Sequence, residues 1–241
     1  TDSLSNETID VYNPATHEFI DNVPSGKKED IDRAVQIAKE GYRINRSLPG
    51  TARYKYLIKA GELILKNLAK LRTTMIEENG KSYSWADFEI RKTAEIFITI
   101  AARIKDPQGT TFPMDSMEGS ESQMSMVYRQ PRGVVGGIIP FNFPMEMLAY
   151  KIAGALAPGN SIVIKLSEDC PLTCLMTGEL LMEAGIPKEA MHLVPGYGET
   201  AGVALVEHPD VPMITFTGSS AVGKNIMERS ARYLKHLSLE L

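Results

Sequence analysis

Gly218 and Gly223 stand five residues apart in FTGSSAVG (216–223), the first closing an apolar, strand-like run and the second inside the opening turn of a helix. Such a turn lets backbone N–H groups approach a pyrophosphate, whose charge the helix N-terminus favours. Taken alone the signal is weak, because glycines at strand-to-helix turns often serve the turn only. GYGETAG (196–202) illustrates the risk: it imitates a dinucleotide fingerprint with one residue too many. Its strand is short and no acid ends the next one, so it reads as mainly structural, with Gly198 kept as a cofactor-facing candidate. IVIKLSED (162–169) supplies an acid differently, since Lys165 ends a strand and Glu168 follows three residues later. A carboxylate there accepts both hydroxyls of a ribose and repels a 2′-phosphate, whereas Lys165 attracts one, so the pair leans toward NAD without excluding NADP. The plain alternative is a solvated loop.

Two further segments, PFNFP (140–144) and LSLEL (237–241), also sit where an apolar run gives way to loop or helix. That edge is where doubly wound α/β folds bind dinucleotides. The elements that must position it follow from periodicity. Beyond Pro131 we expect strands at 133–140, 161–165, 192–194, 213–217 and 236–240, joined by helices ending near Leu156, Ala184, Val206 and Tyr233. Short apolar strands alternating with helices imply a Rossmann-like parallel sheet of about five strands covered on both faces. Helical spacing over 27–42, 52–68 and 86–104 makes the first hundred residues mostly helical. Before them, VYNPATHEFIDNVPSG reads as two extended pieces joined by a turn at Asn13 to His17, since Pro14 disfavours helix at Asn13. Residues 107–130 break the pattern as a two-stranded arm, which is too small to bury its own surface and calls for a partner subunit, or otherwise forms a surface hairpin. The expected division is a dinucleotide-binding domain over 1–106 and 131–241, with the arm between.

Composition narrows the function. The 241 residues are 43% hydrophobic and 23% charged, with net charge −4 and no clustering of lysine and arginine, which speaks against nucleic acid as partner. The opening TDSLSNETIDVYNP is polar and acidic, and no apolar run approaches the roughly 20 residues of a membrane span, so a cytoplasmic protein with no membrane partner is expected. The two cysteines, Cys170 and Cys174, are too few for a disulfide framework or a structural zinc. Their spacing places both thiols on one face of a helix starting near Pro171, as packing residues rather than nucleophiles.

With these segments in hand, the chain resembles the aldehyde dehydrogenase family along almost its whole length. Members carry a PWNFP-like motif, a strand ending in K-P-(S/A)-E, an FTGS-x-x-x-G loop and LELGG, in that order; here they read PFNFP, KLSE, FTGSSAVG and LSLEL. Phe141 and Leu166 depart from the usual tryptophan and proline. In the family a thiolate adds to the aldehyde, hydride passes to nicotinamide, and water cleaves the thioester. The resemblance implies that Asn142 donates to the developing oxyanion, a contribution of roughly 3–4 kcal/mol, where a turn residue would be its plain role. It implies that Glu240 activates the deacylating water, with Leu237, Leu239 and Leu241 as apolar surroundings. Ile139, Pro140, Phe141, Lys165, Ser167, Glu168, Gly198, Phe216, Gly218, Ser219 and Gly223 become the cofactor site, with the pyrophosphate at the helix after FTGS.

Glu146, Met147 and Tyr150 fall on the substrate tunnel of relatives, and Glu146, a carboxylate where relatives often have an apolar residue, suggests a polar or cationic aldehyde. Lys151 reads either as part of a proton relay or as a surface salt bridge. The partners implied are an aldehyde and further copies of the chain, as homo-dimer or homo-tetramer. The nucleophilic cysteine of the family lies beyond LELGG, so a polypeptide ending at Leu241 is expected to bind cofactor weakly and catalyse nothing, acting as a stand-alone nucleotide-binding module. An acylating dehydrogenase of the same superfamily is disfavoured, because it has no use for a water-activating Glu240.

Overall fold

A computed structural model describes residues 3–106 and 109–241. Thr1 and Asp2, and Pro107 and Gln108 at the start of the expected arm, lie outside the described residues. The chain opens with β1 (Thr8–Tyr12), whose alternate residues Ile9 and Val11 are buried, paired antiparallel with β2 (Phe19–Pro24). The expected turn joins them, the Asn13 carboxamide oxygen accepting the Ala15 and Thr16 amides at 2.9 and 3.2 Å. Helix α1 (Lys28–Ser47) buries Ile31, Ala34, Val35 and Ala38, a stripe of helical period. It runs so close to the chain entering the sheet that a Cβ on Gly41 would lie 1.9 Å from the Glu189 carbonyl oxygen.

The helical stretch expected at 52–68 is α2 (Gly50–Lys66). A further helix, α3 (Leu68–Asn79), follows after a break at Asn67 and was not separated by the periodicity, because it buries only Leu71, Met75 and Glu78. Gly80 ends it at φ +69°, a left-handed position suited to glycine. Helix α4 (Tyr83–Arg103) packs across α2. The arm is a ribbon of β3 (Gly109–Pro113) and β4 (Met124–Tyr128), which among the described residues pair with each other alone and leave Phe112, Met124, Met126 and Tyr128 exposed.

The remainder alternates β5 (Val134–Ile138), α5 (Pro144–Leu156), β6 (Ser161–Leu166), α6 (Leu172–Glu183), β7 (Met191–Pro195), α7 (Val203–Glu207), β8 (Met213–Thr217), α8 (Ser220–Ala231) and β9 (His236–Glu240). All five strands are parallel in the order β7-β6-β5-β8-β9. The order reverses between β5 and β8, the switch point where such sheets open a ligand crevice at their carboxyl edge. Strand alternation sorts the two cores. Val135, Ile162, Ile164 and Leu166 join the larger one under α2, α4, α5 and α6, while Val134, Ile138 and Val163 join the one under α1, α7 and α8. A buried Asn45 fastens the helical layer to the sheet: its amide donates to the Leu156 and Asn160 carbonyls at 3.1 and 2.7 Å and its oxygen accepts the Tyr56 hydroxyl at 2.9 Å.

Two expectations need correction. The helix expected to run to Val206 is a π-helical turn (Gly198–Gly202) followed by the five-residue α7, the Thr200 and Gly202 amides both returning to the Tyr197 carbonyl. Cys170 precedes α6, so the two thiols do not share a helix face; both are nonetheless buried, and burial pushes the Cys170 thiol up to about 12.

Candidate functional site

The loop carrying Asn142 leaves β5 at the switch point and enters α5 through Pro144 at the first helical position. Asn142 is exposed, and its own carboxamide oxygen accepts the Phe143 amide at 3.0 Å, which turns the NH2 group outward as a donor. Neighbours from α3 and α4 hold the loop. Asn79 donates to the Phe141 carbonyl at 2.7 Å and Lys81 to the Asn142 carbonyl at 2.6 Å, while the Lys81 ammonium lies 4.2 Å from the centre of the Phe143 ring. Glu89, fully buried, pairs with Lys81 through one oxygen and with the other accepts the Met145 and Glu146 amides at 2.9 and 3.3 Å. Burial raises the Glu89 carboxyl, opposed by the Lys81 hydrogen bond and charge and by the two helix amides.

Glu78 does the same for α6, accepting the Leu172 and Thr173 amides, each at 2.7 Å, and the Thr173 hydroxyl. Both of these helices therefore begin on a carboxylate of their own chain. Helix α8 does not: Ser219 caps it by accepting the Val222 amide at 3.3 Å. The Ser220 and Ala221 amides, in the first turn, have no partner within the helix. Of α5, α6 and α8, the last is the one whose N-terminus stands ready for an anion.

Between these helices, β6 delivers Lys165, which is 5% exposed and bonded to Glu168 at 2.7 Å; this is no solvated loop. Ser167 beside them is buried, its hydroxyl accepting the Asp169 amide at 3.4 Å. Ile139 and Phe216 are buried supports of the crevice and Pro140 is half-buried, whereas Phe141 is exposed and Gly198 opens onto free space at its Cβ position. A Cβ at Gly218 would fall 2.5 Å from the tip of the Phe216 ring, so a side chain there would have to displace that ring. Its N–H donates to the Glu240 carbonyl at 3.1 Å, which ties the β8 loop to β9 and takes that amide out of the anion cradle.

The comparisons agree with this architecture. The family model described as "Aldehyde dehydrogenase family" matches residues 1–241. The chain belongs to the aldehyde dehydrogenase family. It is 38% identical over 245 residues to aldehyde dehydrogenase 1A1 of Homo sapiens, covering 100% of this chain and 48% of that protein. It is 37% identical over 241 residues to a mitochondrial aldehyde dehydrogenase of Leishmania tarentolae, covering 99% of this chain and 47% of that one. Among solved structures, an NAD+ complex of an aldehyde dehydrogenase from Bacillus cereus superposes with TM-score 0.95 at 36% identity, covering 100% of this chain and 49% of the other. The chain thus spans about half the length of the relatives it matches.

In this chain Glu146, Met147 and Tyr150 share the outward side of α5, Glu146 and Met147 half-buried and Tyr150 exposed. Burial raises the Glu146 carboxyl, and the charges of Lys92 and Lys81 oppose this. Lys151, one residue on, is not at the surface: it is buried and donates to the Thr215 and Thr217 hydroxyls at 3.3 and 2.9 Å, and burial lowers it to about 8 against the pull of Glu240. Glu240 is exposed at the end of β9. The neighbouring leucines do not enclose it, because alternation sends Leu237 and Leu239 to the core under α7 and α8 and leaves Ser238 and Glu240 on the opposite face. Leu241 is exposed, its side chain lying against Gly223. The cluster that sequence reading missed is Glu78, Asn79, Lys81 and Glu89. ENGK (78–81) reads as a helix stop with a turn, and nothing local reveals that its side chains reach loops some sixty to ninety residues away.

Proposed function

We propose that the protein oxidises an aldehyde to a carboxylic acid through a thiohemiacetal and a thioester, and that this chain contributes the NAD site, the oxyanion donor Asn142 and the general base Glu240. The observation that carries the reading is the convergence at one switch point of the Asn142 loop, the Lys165–Glu168 pair and the first turn of α8, whose Ser220 and Ala221 amides have no partner within the helix, with α5 and α6 already closed by Glu89 and Glu78. These residues fit a dinucleotide. Glu168 would hold the adenine ribose and Lys165 stand beside it, while the Ser220 and Ala221 amides would take the pyrophosphate. NAD, when bound, accepts the hydride. Asn142, its oxygen engaged by Phe143, presents N–H to an oxyanion. Lys151, lowered to about 8, gives up a proton near neutrality and stands on the Thr217 side of Glu240, a position suited to passing protons to and from that carboxylate. The nucleophilic cysteine is the one the resemblance sets beyond LELGG; Cys170 and Cys174 are buried and held as thiols.

Residues 1–106 and 131–241 form the dinucleotide-binding domain in this proposal, and the ribbon joins copies into a dimer or tetramer in the cytoplasm. Calorimetric titration of the chain with NAD and NADP tests the cofactor part. NAD is expected to bind better, and Glu168→Gln to narrow the gap by roughly tenfold by removing the charge that repels a 2′-phosphate. Equal binding of both by the unmodified chain, unaltered by Glu168→Gln, would falsify it. The polar or cationic aldehyde suggested by Glu146 is tested by Glu146→Leu, expected to shift preference toward apolar aldehydes. An unchanged ranking removes that residue from specificity.

A further inference from the structure

Lys81 and Glu89 lie outside the switch point, yet the hydrogen bonds of their side chains, beyond the one that joins them, go to the Asn142 loop and the start of α5. The Lys81 ammonium, 9% exposed, meets the Glu89 carboxylate, the Asn142 carbonyl at 2.6 Å and the Phe143 ring at 4.2 Å. The second Glu89 oxygen holds the Met145 and Glu146 amides at 2.9 and 3.3 Å, which fixes where α5 begins. Asn142 is thereby gripped from both sides: its carbonyl by Lys81, and the residues just after it, through the helix, by the partner of Lys81. Its side-chain oxygen accepts the Phe143 amide at 3.0 Å. Trp85, one turn into α4, meets the Phe143 ring edge-on at 6.1 Å and closes the same loop from outside.

We propose that Lys81 and Glu89 are positioning residues for Asn142: the buried pair sets the direction of its donor N–H before substrate arrives. The inference rests on the proposed role of Asn142 as oxyanion donor. A donor that is pre-aimed loses no reorganisation in the reaction, and a displacement of about 1 Å costs on the order of 100-fold in rate.

The test has two arms. On the 241-residue chain, NMR follows the Asn142 side-chain amide, and the fluorescence of Trp85, the one tryptophan, follows the loop. Lys81→Met is expected to broaden or shift the Asn142 amide pair and move the Trp85 emission, and Lys81→Arg to restore both. Should Lys81→Met fail to fold, Asn79→Ala, which removes the bond to the Phe141 carbonyl without leaving a buried charge, is expected to give the same changes at smaller size. On the polypeptide at its naturally encoded length, Lys81→Met is expected to lower kcat roughly 100-fold with KM for NAD unchanged, and to add no further loss once Asn142→Ala is present. An Asn142 amide indifferent to Lys81→Met, or an equal loss of kcat with and without Asn142, would overturn the proposal in favour of plain packing. If Asn142→Ala itself leaves kcat intact, the donor role of Asn142 fails instead, and the NMR arm still decides the positioning.

Discussion

Beside β5 and β6 the loops at the carboxyl edge are fastened by buried charge, whereas beside β8 and β9 they are fastened by backbone and left open. On the first side Glu78, Asn79, Lys81 and Glu89 reach across from the helical layer to hold loop carbonyls and helix amides. On the second, one bond from the Gly218 amide to the Glu240 carbonyl and the Ser219 cap do the equivalent work, and Glu240, Ser219 and Val222 are exposed. Geometry on the first side is therefore set within the described residues. On the second it is set in part, and we expect the exposed face of β9 to take its final surroundings from other protein.

The contrast predicts where substitutions hurt. The largest effect belongs to the fastened side: Glu89→Ala leaves the Lys81 ammonium and two helix amides without their partner, and should cost about 3–5 kcal/mol of stability. Urea unfolding measures it, and a loss under 1 kcal/mol would mean that the pair is no more than a surface contact. An intermediate effect separates the halves by pH. Lys151 and Lys235 are both lowered to about 8, chiefly by burial, so between about 8 and the ordinary 10.5 the unfolded chain holds protons that the native chain has released. Stability should rise with pH across that window, and Lys151→Met should remove roughly 1–3 kcal/mol of the rise, read from unfolding midpoints at successive pH values. A slope identical in variant and parent would place the Lys151 ammonium in water. The smallest effects belong to the open side. Ser219→Ala should cost about 1 kcal/mol as a lost helix cap, and Glu240→Gln should change stability by less than about 0.5 kcal/mol, while turnover of the naturally encoded polypeptide falls by orders of magnitude. A large destabilisation by Glu240→Gln would show that the side chain is structural.

The sheet was legible because its signals are local. Apolar runs of strand length, the glycine turn at 216–223 and the alternation of Leu237 and Leu239 with Ser238 and Glu240 are all written within a few residues. The places of Asn142, Lys165, Glu168 and Ser219 at the carboxyl edge followed from the same runs. The caps were not legible, because Glu78 and Glu89 bond to helix amides 94 and 56 residues further along. A buried carboxylate on an amphipathic helix looks the same in sequence as a solvated one. For the same reason the solvated loop at Lys165 and the surface salt bridge at Lys151 stayed open as alternatives until the fold was known, since long cationic side chains are mostly exposed and only the packing around these two says otherwise. The enclosure assigned to Glu240 failed on pleat geometry: neighbours along a strand face away from each other.

The parity of β9 carries an evolutionary consequence. In a strand whose odd positions feed a core and whose even positions lie on the other face, any length change between Tyr233 and His236 that slips the register by one would bury the carboxylate and put Leu239 or Leu241 in its place. The connection at 114–123 in the ribbon has no such constraint, since both of its strands are exposed on both faces. Length variation among homologues should therefore gather in the ribbon and be absent from the short link before β9, a pattern that measures where selection counts residues and where it counts only chemistry.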